Sequence, residues 1–415
     1  MMLQGLFGLL VFVFFAWLIS ENRRRVSLKT ILMGVLLQFL LALILLKTPG
    51  SLQFFKILNR VILAIETATR SGTSFVFGYL GGSAAPSPFE ISDPQATFIL
   101  AFQALPLVLI MSALSALLFY WKILPAIVKG FAWLLQKTAG IGGAEGVGLS
   151  ANIFVGMVES PLLIRPYLKE MTRSEIFSIM TCGMATIAGT VMVLYASIVG
   201  GIIPDGLGHI LTASIISVPA AITIAKVMIP ETGRPTAGSY IPPQDAKNSM
   251  DAITQGTIQG VSLLINIIAM LIVLVALVYL VNILLSFLPG SAGGELTLQR
   301  LLGFLMAPVV WLMGVPWSES FTAGALMGTK TVLNELLAYV DMARLPQGAL
   351  SDKSLMIMTY ALCGFANPGS LGIMIGGIGT MAPERRDEIV SLGLRSIVAG
   401  TLATCMTGAV IGILI

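Results

Sequence analysis

Apolar stretches recur along the chain, most of them long enough to cross about 30 Å of hydrocarbon and each closed by a short polar segment. Leu3 to Ile19 is the first, and Glu21-Asn22-Arg23-Arg24-Arg25 and Lys29 follow it. No basic residue precedes that run, so it reads as a span and not as a cleavable signal. Positive charge gathers on the cytoplasmic side of membrane proteins, which predicts an outside N-terminus. Further runs follow at Ile31 to Leu46, Ala96 to Tyr120, Ser174 to Val199, Ile210 to Met228, Thr257 to Leu288, Ser354 to Thr380 and Ile389 to Ile415. Phe54 to Ile65 sets apolar residues at helical spacing against Lys56, Asn59, Arg60 and Glu66, the pattern of an amphipathic helix at the outer face. Trp121 to Lys137 and Leu298 to Met313 read as further interfacial helices, one inside and one outside. Gly81 to Pro94 and Pro230 to Asp251 read as loops.

Two stretches break this rhythm. Thr138 to Leu168 opens with Gly140, Gly142, Gly143, Gly146 and Gly148, runs apolar through Ala151 to Val155, and breaks at Gly156, Glu159 and Pro161. Its apolar pieces are too short to span, and Lys137, Arg165, Lys169 and Arg173 put both ends on the cytoplasmic side. Such a segment is expected to be a re-entrant hairpin. Val315 to Arg344, with Pro316, Glu319, Gly324, Gly328, Asn334 and Glu335, is a second one. The span at Ser354 to Thr380 is itself interrupted at Asn367-Pro368-Gly369. Hairpin, interrupted helix and helix thus occur twice, first from the inside and then from the outside, which is an inverted repeat. The predicted fold is an all-α polytopic membrane protein: eight transmembrane helices plus two re-entrant hairpins in an inverted repeat, with interfacial helices. Four segments follow: 1–137 with the N-terminal spans and two interfacial helices, 138–228 as the first repeat, 229–313 with the cytoplasmic loop, a scaffold span and the outer interfacial helix, and 314–415 as the second repeat.

Composition agrees with the pattern. Apolar types make up 56% of the 415 residues and charged types 11%, against about 25% charged in soluble domains. Mean hydropathy is +0.93. An ordinary cytosolic enzyme, a disordered chain and a nucleic-acid binder are excluded. The net charge of +4 has no basic block beyond Arg23 to Arg25. Cys182, Cys363 and Cys405 are too scattered for a disulfide framework, and His209 is the single histidine.

The chemistry lies in polar groups at bilayer depth. Interrupted spans at corresponding places in two halves point to a transporter's binding site. Glu159 and Glu335 occupy the two hairpins, where a bare acid costs roughly 2.5–3.5 kcal/mol on insertion scales. An ion, a proton or a substrate hydroxyl accounts for them; the structural alternative is a carboxylate that caps the hairpin tip or pairs with Arg165 or Lys330. Asn152 and Val155, one turn apart on the first hairpin helix, and Thr186 and Ile187, where a helix unwinds before Gly189, offer oxygen ligands suited to Na⁺. Interhelical hydrogen bonding is the alternative for Asn152 and Thr186. Asn367, Pro368, Gly369 and Ser370 free backbone groups that are tolerated at this depth only around a cavity, unless Pro368 merely kinks the span. Gly377 to Ala382 follows no strand and is not a dinucleotide loop, and Gly328-Thr329-Lys330-Thr331 lacks the upstream spacing of a phosphate loop. His209 reads as a solvated residue on an outer loop.

The motifs Gly156-Met157-Val158-Glu159-Ser160-Pro161, Gly328-Thr329-Lys330, Leu333-Asn334-Glu335-Leu336-Leu337-Ala338-Tyr339 and Cys363-Gly364-Phe365-Ala366-Asn367 resemble the concentrative nucleoside transporters. The resemblance runs in order along nearly the whole chain. It implies a nucleoside bound between the hairpins and the second broken helix. Glu159 would face the base, and Glu335 the ribose hydroxyls with Asn367 and Ser370. Phe365 and Val191 would line the base, and Leu263 would form an apolar wall from the scaffold. The cation ligands of sodium-coupled members fall on Asn152, Val155, Thr186 and Ile187, the group already chosen on chemistry. The family's first motif has Gln and Thr where Met157 and Val158 stand, so base preference is the property most open to change. The resemblance also implies a homotrimer in a bacterial plasma membrane whose repeats slide as an elevator against the third and sixth spans, and the count of spans from the outside N-terminus puts both termini outside. The predicted activity is nucleoside import by Na⁺ symport, with H⁺ coupling through Glu159 or Glu335 as the alternative and an intramembrane enzyme as a remote one. Its partners are then the nucleoside, the bilayer and its own copies, and no nucleic acid.

Overall fold

The computed structural model describes residues 2–82, 99–238, 246–287 and 297–415, and within them it is helical throughout, with no strand. The N-terminal part comprises α1 (Met2–Leu18), α2 (Leu28–Lys47), α3 (Pro49–Phe77), α4 (Leu100–Gln103), α5 (Leu107–Tyr120) and α6 (Ile123–Ala139). A first group follows: α7 (Gly143–Ala151), α8 (Glu159–Leu162), α9 (Arg173–Ala185), α10 (Gly189–Val199) and α11 (Gly206–Met228). Next come α12 (Ser249–Ser286) and α13 (Leu298–Leu312). The last group is α14 (Trp317–Val332), α15 (Glu335–Ala343), α16 (Asp352–Leu362), α17 (Pro368–Met381) and α18 (Arg386–Leu414).

The two groups have the same plan: a helical hairpin, a helix broken in the middle, and a long unbroken helix. Their contacts are reciprocal. α10 packs on α15, and α17 on α8; α9 packs on α18, and α16 on α11. The core lies where α9, α11, α16 and α18 meet, and α11 and α18 are buried along most of their length. Small residues allow that approach. A Cβ on Gly400 of α18 would stand 2.4 Å from the Met184 Cβ of α9.

Polar side chains cap the starts of several helices. Thr172 and Glu175 form a capping box on α9, exposed Ser351 caps α16, and half-buried Asn334 and buried Asn367 cap α15 and α17. Pro368 is therefore the first residue of a helix and not a kink within one.

Among the described residues six helical stretches are long and apolar enough to cross a bilayer, or seven with the pair α13–α14, which bends by 118°. Of the eight expected spans, α1 has only 17 residues, and the α16–α17 span is broken between 363 and 367. The amphipathic helix expected at Phe54 to Ile65 extends over all 29 residues of α3, and the span expected from Thr257 begins at Ser249, where Asn248 caps it. Most of the loop expected at Gly81 to Pro94, and 239–245 of the one after Pro230, lie outside the described residues. Arg173 at the start of α9 and Arg395 of α18 both bind Glu21, whose N–H donates to the Met228 carbonyl at 2.9 Å. The α1–α2 corner is thereby fastened to the repeats, whereas α12 packs on α5 and leaves most of its surface exposed.

Candidate functional site

The N-terminal ends of α8, α10, α15 and α17 converge on a cavity of about 150 Å³, and α12 closes its remaining side with Leu263, Asn266, Ile267 and Leu271. Glu335, the first residue of α15, is 4% exposed. One carboxylate oxygen accepts from the Tyr195 hydroxyl at 2.6 Å, and the other from the Asn367 side-chain amide at 3.1 Å. The Asn367 amide oxygen accepts the Ser370 N–H at 2.8 Å, so the cap of α17 also aims the acid. Two N–H or O–H donors and a helix N-terminus thus hold a carboxylate at the cavity edge.

Glu159 opens onto the same cavity from the other hairpin. Its carboxylate folds back over the turn, toward the backbone N–H groups of Gly156, Val158 and Glu159. A Cβ on Gly156 would lie 2.1 Å from that carboxylate, so glycine is required there. Neither acid has the ion pair considered for it: among the described residues Glu159 does not meet Arg165, and Lys330 turns away to Ala361 and Thr404. Met157, Val158, Val191, Leu263, Phe365, Asn367 and Ser370 line the cavity with the two acids, so every residue expected around a substrate is brought together. Sequence reasoning missed Thr190, Tyr195, Asn266 and Asn334, which line it too. Helical spacing carried the signal for two of them: Tyr195 lies one turn after Val191, and Asn266 one turn after Leu263.

Of the expected cation group the structure joins Asn152 to Thr186, with one correction to the helix expected for Asn152 and Val155. Asn152 and Val155 do not share a helix, because α7 ends at Ala151; Asn152 caps it and Val155 lies in the hairpin turn. Asn152 and Thr186 are buried, and the Asn152 amide donates to the Thr186 hydroxyl at 3.1 Å. That hydroxyl donates to the Cys182 carbonyl at 2.8 Å. Ile187 lies in the break between α9 and α10, and Gly189 lets the turn come close, since a Cβ there would be 2.3 Å from the Phe154 carbonyl oxygen. The donors are neutral oxygens at the C-terminal ends of α7 and α9, a set that fits a hard monovalent cation. No cluster of His, Cys, Asp and Glu suited to a transition metal occurs among the described residues. His209 is not on a solvated loop. It lies in the first turn of α11, half-buried, with Nδ1 2.9 Å from the Tyr360 hydroxyl.

A second cavity, of about 220 Å³, shares Gly156, Glu159, Thr190 and Leu263 with the first. It continues between α5 and α12 past Ser112, Ser115, Gln255 and Gln259 toward Tyr120 at the end of α5.

Comparison with known proteins gives the same picture. A family model described as the C-terminus of Na⁺ dependent nucleoside transporters matches residues 209–412, and its N-terminal counterpart matches 7–80. A third model, described as a nucleoside recognition gate, matches 101–202. The nucleoside permease NupC of Helicobacter pylori is 34% identical over 413 residues, covering 98% of this chain and 96% of that one. The chain belongs to the Na⁺-dependent, or concentrative, nucleoside transporter family. Human solute carrier family 28 member 3 is 36% identical, over 98% of this chain but 59% of its own length. The solved structure of CNTnw in an inward-facing substrate-bound state matches with a TM-score of 0.91 at 34% identity, covering 100% of this chain and 98% of that one. A CNTnw variant in an outward-facing state matches at 0.90, also at 34% identity, over 99% and 97% of the two chains. As a concentrative nucleoside transporter the chain is an integral membrane protein and not an enzyme.

Proposed function

We propose that this protein imports nucleosides by Na⁺ symport. The observation that carries the reading is the pairing of Glu335 with Tyr195 and Asn367 at the edge of a cavity that Glu159 enters from the opposite hairpin. A fixed carboxylate accepts hydrogen bonds from a vicinal diol, and hydrogen bonds to a charged partner contribute about 1.5–3 kcal/mol each. Ribose therefore belongs against Glu335, Asn367 and Ser370. The base belongs against Glu159, Phe365 and Val191, with Met157, Val158 and Leu263 supplying apolar contact. Na⁺ belongs among Asn152, Val155, Thr186 and Ile187.

The distribution of polar groups supports an elevator motion. Apart from Asn266, the polar side chains of the cavity come from the two repeats, and α12 offers mainly an apolar wall. A site so built can move past α12 without giving up its ligand. The division of the chain at 137, 228 and 313 follows the same partition, although Glu21 ties α1 and α2 to the moving part. The exposed apolar length of α12 leaves a surface for a trimer to form around; the proposed setting is a plasma membrane with both termini outside.

Uptake of labelled nucleosides into proteoliposomes, with Na⁺ and pH gradients imposed separately, tests this reading. Accumulation should follow the Na⁺ gradient. Uptake indifferent to Na⁺ and driven by a pH gradient would instead make one of the two acids a proton carrier.

A further inference from the structure

The two repeats solve one electrostatic problem in different ways. α7 ends at Ala151 and packs on α9, which ends at Ala185. In the other repeat α14 ends at Val332 and packs on α16, which ends at Leu362. Each helix C-terminus leaves carbonyls without intrahelical partners and carries partial negative charge. At membrane depth no bulk water meets that need, so a pair of such ends calls for a cation. Around α7 and α9 the chain supplies only neutral groups, Asn152, Thr186 and backbone carbonyls. Around α14 and α16 it supplies Lys330.

Lys330 is fully buried, on the last turn of α14. Its ammonium donates to the Ala361 carbonyl, next to last in α16, at 2.7 Å, and to the Thr404 hydroxyl of α18 at 2.9 Å. Tyr339 of the same hairpin donates to the Thr359 carbonyl at 2.8 Å. Among the described residues no carboxylate lies within ion-pair distance of Lys330. A buried ammonium without a counter-ion is unfavourable unless dipoles stabilise it, and the end of α16 provides them. Five residues beyond α16 the chain reaches Asn367, the partner of Glu335.

We propose that Lys330 is a tethered cation, doing permanently for the second broken helix what an exchangeable Na⁺ does for the first. It is a positioning residue: it fixes the end of α16, and through the break it fixes Asn367 and the Glu335 carboxylate. The ribose half of the site is then formed whether or not Na⁺ is bound, and Na⁺ acts on the first hairpin alone. The proposal rests on the reading of Asn152, Val155, Thr186 and Ile187 as the Na⁺ ligands.

The test is calorimetric nucleoside binding to the full-length protein across a Na⁺ titration, for wild type, Lys330→Arg and Lys330→Met, with thermal melts to show that each is folded. Wild type should show a Hill coefficient for Na⁺ of about 1, and Lys330→Met should bind weakly at low Na⁺ with a coefficient rising toward about 2 as Na⁺ enters the vacated cradle. Ammonium, which matches the one atom that methionine leaves vacant, should restore binding to Lys330→Met where choline does not, and Lys330→Arg should stay close to wild type. A folded Lys330→Met with unchanged affinity and Na⁺ dependence overturns the proposal. So does a deficit that no small cation repairs, because the lysine would then only fill space. Wild-type binding without Na⁺ dependence is a different result, which refutes the Na⁺ site itself. If Lys330→Met does not fold, the reciprocal variant Asn152→Lys decides: a fixed cation at the first break should give nucleoside binding that needs no Na⁺. Undiminished Na⁺ dependence in folded Asn152→Lys, or no binding at all, counts against the proposal.

Discussion

Tyr195 shows what a single side chain contributes to this site. Its hydroxyl holds one oxygen of Glu335 while Asn367 holds the other. Tyr195→Phe removes a hydrogen bond to a charged acceptor, about 1.5–3 kcal/mol, so nucleoside affinity should fall at least about tenfold by calorimetry. Glu335→Gln should abolish binding while the protein still folds; affinity near wild type in that variant would remove the ribose assignment. Met157 and Val158 face the same cavity with no hydrogen-bonding group. The double change Met157→Gln with Val158→Thr should therefore reorder competition among uridine, cytidine, adenosine, guanosine and inosine, by roughly two- to tenfold for each hydrogen bond gained. An unchanged ranking would make the two residues packing substitutions only. The acids were legible in the sequence because charge is conspicuous in an apolar run. Tyr195 was not, because a tyrosine in a buried helix looks like core until its partner, 140 positions away, is known. Lys330 was visible as a motif residue and as a possible partner for the hairpin acids, but its actual acceptors are a backbone carbonyl and a threonine, which leave no mark in composition.

At the scale of elements, breaks could be read more surely than ends. Gly189, Asn367 and Pro368 announced the interruptions of the two broken helices. The extents of α3 and α12 were missed because their polar turns continue a helix that hydropathy alone would stop. Short polar links between elements also carry stability. Glu21, between α1 and α2, accepts from Arg173 and lies beside Arg395. The hydrogen bond from Arg173, and then the charges of Arg173 and Arg395, hold its carboxyl below the ordinary value of 4.5 against partial burial. A depressed carboxylate stabilises the fold above its unfolded pKa, and that contribution is lost as pH falls through the folded one. The partners are largely exposed, so the effect at neutral pH should be at most about 1 kcal/mol. Thermal melts of wild type and Glu21→Gln in detergent should differ at pH 7 and converge below the ordinary carboxylate range. A difference that persists unchanged in acid would show that Glu21 acts by packing and not by charge.

For the whole molecule the question is what moves. An inverted repeat was readable from the order of broken and unbroken runs. Which helices would belong to a moving part was implied by the family resemblance alone, because it depends on contacts such as Glu21 with Arg173 and α5 with α12, which join distant stretches of chain. If only hairpin tips opened and closed, α17 would stay fixed against α12. If the repeats slide as a unit, α17 must travel past α12 with the nucleoside. Leu271 of α12 and Ile373 of α17 line one cavity from opposite sides of that boundary. The natural thiols Cys182, Cys363 and Cys405 are all buried, so introduced cysteines can be addressed selectively. In the double variant Leu271→Cys with Ile373→Cys, a short bifunctional thiol reagent should stop uptake into proteoliposomes, and reduction of a cleavable version should restore it. Each single variant treated alike should keep transporting, which separates tethering from mere occlusion of the cavity. Calorimetry on the tethered protein should still detect a nucleoside site, since tethering freezes one position without dismantling Glu335, Tyr195 and Asn367. Sustained uptake by fully tethered protein would mean that α17 does not move past α12, and a gate at the hairpin tips would then replace the elevator.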